Sequence, residues 1–432
     1  MNLRQNGMML LLAAALLGIA AQWAREPSLG NLWAAPLAML VLGLGYERWV
    51  CARAALRMSI LTPAPWHLAS AGQVRCALTH RLLRPLTVTF APRPPPGVDV
   101  HTQVRLVQVP AHDGASIDLP AVARRLGEVR WPAQPVRIAG PLGLAWWSER
   151  LADHTRSTVV PAMLELKESA AGVVVGGARV SHVLGTGAQV EQLRDYRPGD
   201  PLRVIDWRAT ARRRQLVSRD FVEEQHLDVM VALDVGRASR IRCGALDRLG
   251  HYVNAAARLA QYVVAQEDRI GLVLFGDQPL AVLPPARGHA GVMRVRDLLS
   301  GVRTQSTDSN VLHAASQVLR RVHQRSLVVL MTDIEDATSE GALVAALRLL
   351  QPRHLPFVIG LTALNPTLLA DQAPRDWLDP WLSLAAGHVL SQRERTIRAL
   401  AATGAQVVLS TPAEFERTLF QRYTQFRQQR RI

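Results

Sequence analysis

The sequence predicts an α/β chain: a doubly wound domain on a parallel sheet, preceded by a β-sandwich-like domain and an N-terminal two-helix transmembrane hairpin. Three observations carry this reading. Two uncharged apolar stretches open the chain, short alternating runs broken by proline and glycine follow, and after Asp228 apolar strands alternate with helical segments. A chain of 432 residues has room for more than one core. The expected division is the hairpin at 1–58, the β-sandwich-like domain at 59–170, a charged connector at 171–227 and the α/β domain at 228–432.

Met8–Ala24 and Leu29–Tyr46 contain no charged residue, and each is about long enough to cross a hydrocarbon core of about 30 Å. A cleaved signal peptide would explain the first stretch alone, but its small-residue cleavage pattern is poor and a second apolar stretch follows at once. Arg4 precedes the first stretch and Arg48, Arg53 and Arg57 follow the second, while the connecting loop holds only Arg25 beside Glu26. By the positive-inside rule both ends face the cytoplasm, which places the chain in the inner membrane of a bacterium, contacting the bilayer through two helices. Deleting residues 1–50 is then expected to leave a soluble fragment. Cys51, Cys76 and Cys243 are far apart and odd in number, so they indicate neither a disulfide framework nor a thiolate metal site, and they fit a reducing compartment.

The runs "QVRCALTH", "LTVTFAP", "TQVRLVQVP" and "PVRIAG", separated by breakers such as "PRPPPG", have the length and alternation of strands in a sandwich or barrel. From Asp228 the text becomes "DVMVAL", a helical stretch "ALDRLGHYVNAAARLAQYVVAQ" with Leu246, Leu249, Val253, Ala256, Leu259, Ala260 and Val263 on one face, then "IGLVLFG", "SNVLHAASQVLRRVHQ", "SLVVLMTD", "ALVAALRLLQ", "LPFVIGL" and "AQVVLS". Strand and helix in turn imply a parallel sheet covered on both faces. A last helix places Phe415, Leu419, Tyr423 and Phe426 at helical spacing, a core face.

The net charge of +15 is a weak guide, because only Lys167 of the 50 basic residues is lysine and the basic residues are interleaved with acids in every segment. Nucleic acid is not an expected partner: the arginine-rich stretch has little aromatic interleaving, and adjacent acids would repel phosphate. With a single lysine and no Gly-rich loop ending in Lys-Ser or Lys-Thr, no phosphate-binding lysine loop is available. Neither G-x-S-x-G nor H-E-x-x-H occurs. The 13 histidines are scattered, and His251 and His313 read as packed or surface residues.

Gly185–Gln225, "GTGAQVEQLRDYRPGDPLRVIDWRATARRRQLVSRDFVEEQ", is dense in charge, glycine, proline and tryptophan. It resembles the signature of the domain of unknown function 58 family, in which such a stretch adjoins a von Willebrand factor A fold. The residues carrying the resemblance are Asp195, Tyr196, Gly199, Asp200, Arg203, Ile205, Asp206, Trp207, Ala209, Arg212, Arg219, Glu223 and Glu224. "GPLGLAWW" before it, and "VVLMTDIED" and "LSQRERTIRALAATGAQVV" after it, look like the same family. The leading reading is a non-enzymatic, membrane-tethered adaptor or scaffold, and the resemblance implies partnership with a MoxR-type AAA+ ATPase in assembling or activating a client protein complex.

Physically, the signature reads as a network of paired charges, either a seam between domains or a docking face. The residues proposed to touch a partner are Asp195, Tyr196, Gly199, Asp200, Arg203, Asp206, Trp207, Arg212, Arg213 and Arg219, with Arg237 and Arg240 from the sheet end. Trp207 is expected to be buried. The alternative class is a metal-dependent hydrolase or protease using the carboxylates Asp234, Asp308 and Asp333, but no nucleophile or base accompanies them at a recognisable spacing.

"LDVGRASR" nearly spells a metal-ion-dependent adhesion site, which resembles D-x-S-x-S followed by a threonine and a second aspartate from later loops. Asp234 and Asp333 match the two aspartates, and Ser306, Thr307 and Asp308 could supply the third loop. Gly236 and Ala238 stand where the hydroxyls belong, and Ser239 comes one residue late. No cofactor is required by the sequence; Mg²⁺ is one candidate for the positive charge among these aspartates, and the guanidinium of Arg237 or Arg240 is the favoured one.

Overall fold

The computed structural model describes residues 2–24, 31–100, 103–111, 113–153, 155–163, 183–185, 189–198, 200–223, 226–335, 339–362, 366–371 and 376–428. Gly199, Glu224 and the side chains of Arg203 and Glu223 lie outside the described residues. The chain divides into two compact units, Met1–Ala162 with Ser300–Val302, and Met163–Leu299 with Arg303–Ile432.

The first unit holds a short strand β1 (Asn2–Leu3), helices α1 (Gln5–Ala24) and α2 (Ala34–Arg53), and eleven further strands. These are β2 (Arg57–Leu61), β3 (Trp66–His67), β4 (Ala71–Thr79), β5 (Leu86–Phe90), β6 (Val98–Val100), β7 (Arg105–Val109), β8 (Gly114–Ala123), β9 (Gly127–Arg130), β10 (Gln134–Ala139), β11 (Ala145–Leu151) and β12 (Arg156–Val160). They form three sheets, ordered β1-β11-β10-β5-β7, β2-β4-β8-β6 and β3-β12-β9. Alternation does what the sequence reading assumed. In β4, Val74, Cys76 and Leu78 point inward, opposite Ile117 and Leu119 of β8, while the residues between them remain outside.

The two apolar stretches form helices where expected, yet among the described residues no helix is long and apolar enough to cross a membrane. In α2 the apolar run ends at Tyr46 while the helix continues through Glu47, Arg48 and Arg53, and Glu47 is fully buried. Its carboxylate accepts the backbone amides of Leu142, Leu144 and Ala145, each at 3.0 Å, and Trp147 Nε1 at 3.4 Å. That end of the hairpin therefore packs on the start of β11 and the segment just before it. The helices are antiparallel: Gly7 and Gly43 both abut Leu144, whereas Gly18 abuts Trp33.

The second unit opens with a small antiparallel sheet ordered β13-β15-β14, made of β13 (Val183–Gly185), β14 (Gln189–Asp195) and β15 (Val217–Glu223), with α3 (Trp207–Arg213) between β14 and β15. Its main sheet begins with β16 (Asp228–Asp234), every residue of which is buried. The ribbon β17 (Arg242–Cys243) and β18 (Leu246–Asp247) leads to α4 (Arg248–Ala265), then β19 (Arg269–Phe275), β20 (Pro279–Ala286), α5 (Gly288–Ser300), α6 (Val311–Arg321) and β21 (Ser326–Met331). After these come α7 (Glu340–Leu350), β22 (Leu355–Leu361), α8 (Pro366–Asp371), α9 (Asp379–Ala401), β23 (Gln406–Ser410) and α10 (Phe415–Gln428).

The six strands are ordered β20-β19-β16-β21-β22-β23, with every neighbouring pair parallel except β19 with β20. The antiparallel edge β20 and helix α5 are absent from the sequence reading. Pro284 and Pro285 break the strand pattern, and an edge strand tolerates them because its outer amides need no ladder partner. The first long helix also starts later than its periodicity suggested: Leu246 belongs to β18, and the Asp247 carboxylate caps α4 by accepting the Gly250 amide at 2.8 Å. Phe415, Leu419, Tyr423 and Phe426 are buried along α10, as their spacing requires.

Candidate functional site

The carboxyl ends of the parallel strands form the rim of the main sheet, where loops from several strands meet. Asp234 closes β16 and is 3% exposed. Its Oδ2 accepts Thr332 Oγ1 at 2.6 Å, and its Oδ1 accepts the Gly236 amide at 2.8 Å and the Ser309 hydroxyl. Burial pushes this carboxyl above its ordinary range; the three donors partly offset that, and the neighbouring Asp333 adds to it. Ser239, one residue late in the motif, donates to the Asp234 backbone carbonyl at 2.7 Å and not to its carboxylate.

Gly236 explains how the broken motif is repaired. A Cβ built there falls on Ser309 Oγ. The hydroxyl missing at position 236 is thus supplied from the loop that follows Asp308, and the space a side chain would need is already filled. Ser306 and Thr307, the expected oxygens, are not the ones that bind Asp234. Thr307 accepts the Arg237 amide through its carbonyl at 2.9 Å and turns its hydroxyl toward Gln305 at 3.5 Å.

Arg237 pairs at 2.9 Å with Asp308, which is 80% exposed, and Arg240 donates to Thr304 Oγ1 at 3.2 Å. The guanidinium that bridges rim carboxylates is Arg248, from the first turn of α4, with Nη1 2.5 Å from Asp333 and Nη2 2.6 Å from Glu335. Its side chain is 2% exposed, so the cation is held inside the rim. Tyr252, one turn later, donates to the Thr332 carbonyl at 3.0 Å and accepts the Leu361 amide at 3.4 Å. Sequence reasoning missed Arg248 and Ser309; the one available signal was an arginine directly after the Asp247 cap. Among the described residues no group of three or more His, Cys, Asp or Glu is placed to hold a metal ion.

In the signature, the acids are held by particular arginines. Arg194 grips Asp200 with two parallel bonds of 2.7 and 2.9 Å, and the Arg197 amide and Ser218 hydroxyl add bonds of 3.0 and 3.1 Å. Arg194 above all holds the Asp200 carboxyl well below its ordinary range. Asp206 caps α3 by accepting the Arg208 and Ala209 amides, each at 3.0 Å, and bonds Arg219 Nε at 2.9 Å. Arg219 is the main reason its carboxyl is lowered to about 2. Tyr196 donates to the Asp200 carbonyl at 3.3 Å, and Asp195 is exposed.

Trp207 overturns its expectation: it is 63% exposed. The seven-residue helix α3 lies on the surface and buries none of its residues. Around the tryptophan, Leu202 is 71% exposed, Leu216 is exposed, and so are Arg208, Arg212, Arg213 and Arg214. The network is therefore split. Two inner pairs brace the loop, and an outer set of arginines and apolar side chains faces away from it.

No curated protein matches this chain. Among solved structures it is similar to the conserved hypothetical protein BatB from Bacteroides thetaiotaomicron, at 15% identity over 47% of this chain and 99% of that one, with a TM-score of 0.34. It is also similar to an aerotolerance-related membrane protein from Bacteroides fragilis NCTC 9343, at 16% identity over 45% and 97% of the two chains, with a TM-score of 0.31. Residues 192–367, which contain most of the signature, the whole rim and the strands β16 to β22, match the family described as protein of unknown function DUF58.

Proposed function

We propose that this chain is a membrane-attached, non-enzymatic adaptor whose von Willebrand factor A-like domain binds a protein partner through the signature face. The observation that carries the reading is the exposed group of Trp207, Leu202, Arg208, Arg212 and Arg213 beside fully occupied inner pairs. Exposed tryptophan and arginine are the residue types that anchor protein interfaces. The partner the family resemblance suggests is a MoxR-type AAA+ ATPase, which would supply the ATP-driven step, with this chain selecting a client complex. Attachment is supported by the apolar surface of the hairpin, where Met8, Leu12, Leu16, Ile19, Met39 and Leu42 are exposed. The buried, unpaired cysteines Cys51, Cys76 and Cys243 support folded units on the cytoplasmic side.

The double variant Arg212→Glu/Arg213→Glu tests the docking face. Each exposed charge contributes about 0–1 kcal/mol to stability, so the melting temperature should hold while affinity for the ATPase falls by about tenfold or more. Unchanged affinity would remove the signature from the interface.

A further inference from the structure

We propose that the open end of the α1–α2 hairpin is a binding surface for the phosphate headgroups of anionic lipid, built from arginines seated on aromatic rings. This rests on the membrane attachment proposed above and adds the chemistry of the lipid it meets. Arg4 precedes α1, and Arg48 and Arg53 lie in the last turns of α2, so the antiparallel pairing brings all three to one end. There the guanidinium carbon of Arg4 lies 4.9 Å from the ring centre of Trp146, that of Arg48 5.8 Å from Trp147, and that of Arg53 4.1 Å from Trp49. Arg84 joins them by donating to Tyr46 Oη at 3.2 Å, and the Tyr46 and Trp49 rings are 6.3 Å apart.

None of these four arginines has a carboxylate partner among the described residues, and the glutamate within their sequence, Glu47, is buried against backbone amides. An aromatic face orients a guanidinium while leaving its in-plane N–H donors available, the geometry that grips a phosphate with two bonds. Glu47 also ties α2 to the segment carrying Trp146 and Trp147, which fixes both rings at the base of the hairpin. The surface continues directly into the exposed apolar side chains of the two helices, with Leu142 and Leu83 exposed beside it. Cations and amphipathic rings in one collar, next to an apolar surface, match the headgroup layer of a bilayer carrying negative charge.

The test is flotation of the full chain with vesicles of phosphatidylcholine alone and of an equal mixture of phosphatidylcholine and phosphatidylglycerol. Retention should be about tenfold or more higher on the anionic vesicles. The variant Arg4→Gln/Arg48→Gln/Arg53→Gln should lose that preference and keep its retention on phosphatidylcholine. Equal retention of the wild type on both vesicles, or a preference that survives in the variant, would overturn the proposal and leave membrane attachment standing; retention on neither would overturn the attachment itself. If the variant fails to fold, raising the salt concentration with the wild type decides. Loss of the preference supports the collar, and a salt-insensitive preference overturns it.

Discussion

A carboxylate as buried as Asp234 persists because donors converge on it, and the donors come from three separate places in the chain. Gly236 is the residue that permits this. It needs no unusual backbone angle; it is small because Ser309 Oγ occupies the position of its absent Cβ. Gly236→Ala should therefore destabilise the fold by about 1–3 kcal/mol through overpacking. Adding Ser309→Gly should recover part of that loss, a coupling expected for two side chains that compete for one space. Denaturant midpoints of the two single variants and the double variant measure it. Strict additivity would show that the two positions do not meet.

At the scale of elements, the connection from β14 through α3 to β15 is held by two charge-assisted pairs, one on each side of the Leu202–Val204 turn. Both aspartates have folded pKa values below their ordinary value, Asp206 at about 2 and Asp200 also lowered. A depressed carboxylate contributes stability that is present above the unfolded pKa of about 4 and is lost as pH falls through the folded value. The segment should therefore loosen between about pH 4 and pH 2. Hydrogen-exchange protection of the Arg208 and Ala209 amides, which Asp206 accepts, would report it, and Arg219→Gln should move the loss to higher pH. Protection that is flat across this window in the wild type would show that Asp206 does not hold the cap.

For the whole molecule, removing residues 1–50 would take away Glu47 and leave the Leu142, Leu144 and Ala145 amides and the β11 end without their acceptor. The soluble fragment expected from the sequence should instead begin after the first compact unit. A chain of residues 163–432 is expected to unfold in one cooperative transition, whereas residues 51–432 should aggregate or melt lower, both readable by calorimetry and light scattering. A well-behaved 51–432 fragment would mean that the Glu47 contacts contribute little.

What the sequence by itself determined here is whatever depends on neighbours along the chain. Periodicity placed β16, β19, β21, β22 and β23 and the core face of α10, and the charged signature identified the family, because burial pattern and local motif are written in consecutive residues. Tertiary structure decided the contacts made across long separations. Ser309 reaches Asp234 from 75 residues away, Arg248 reaches Glu335 across 87, and Glu47 meets the Leu144 amide across 97. It also decided that Trp207 faces outward, that β20 closes the sheet edge, and that the second apolar stretch ends in a glutamate turned into the protein. No local pattern specifies such partners, since the free energy that selects them comes from filling one particular space with one particular donor once the strands have been brought side by side.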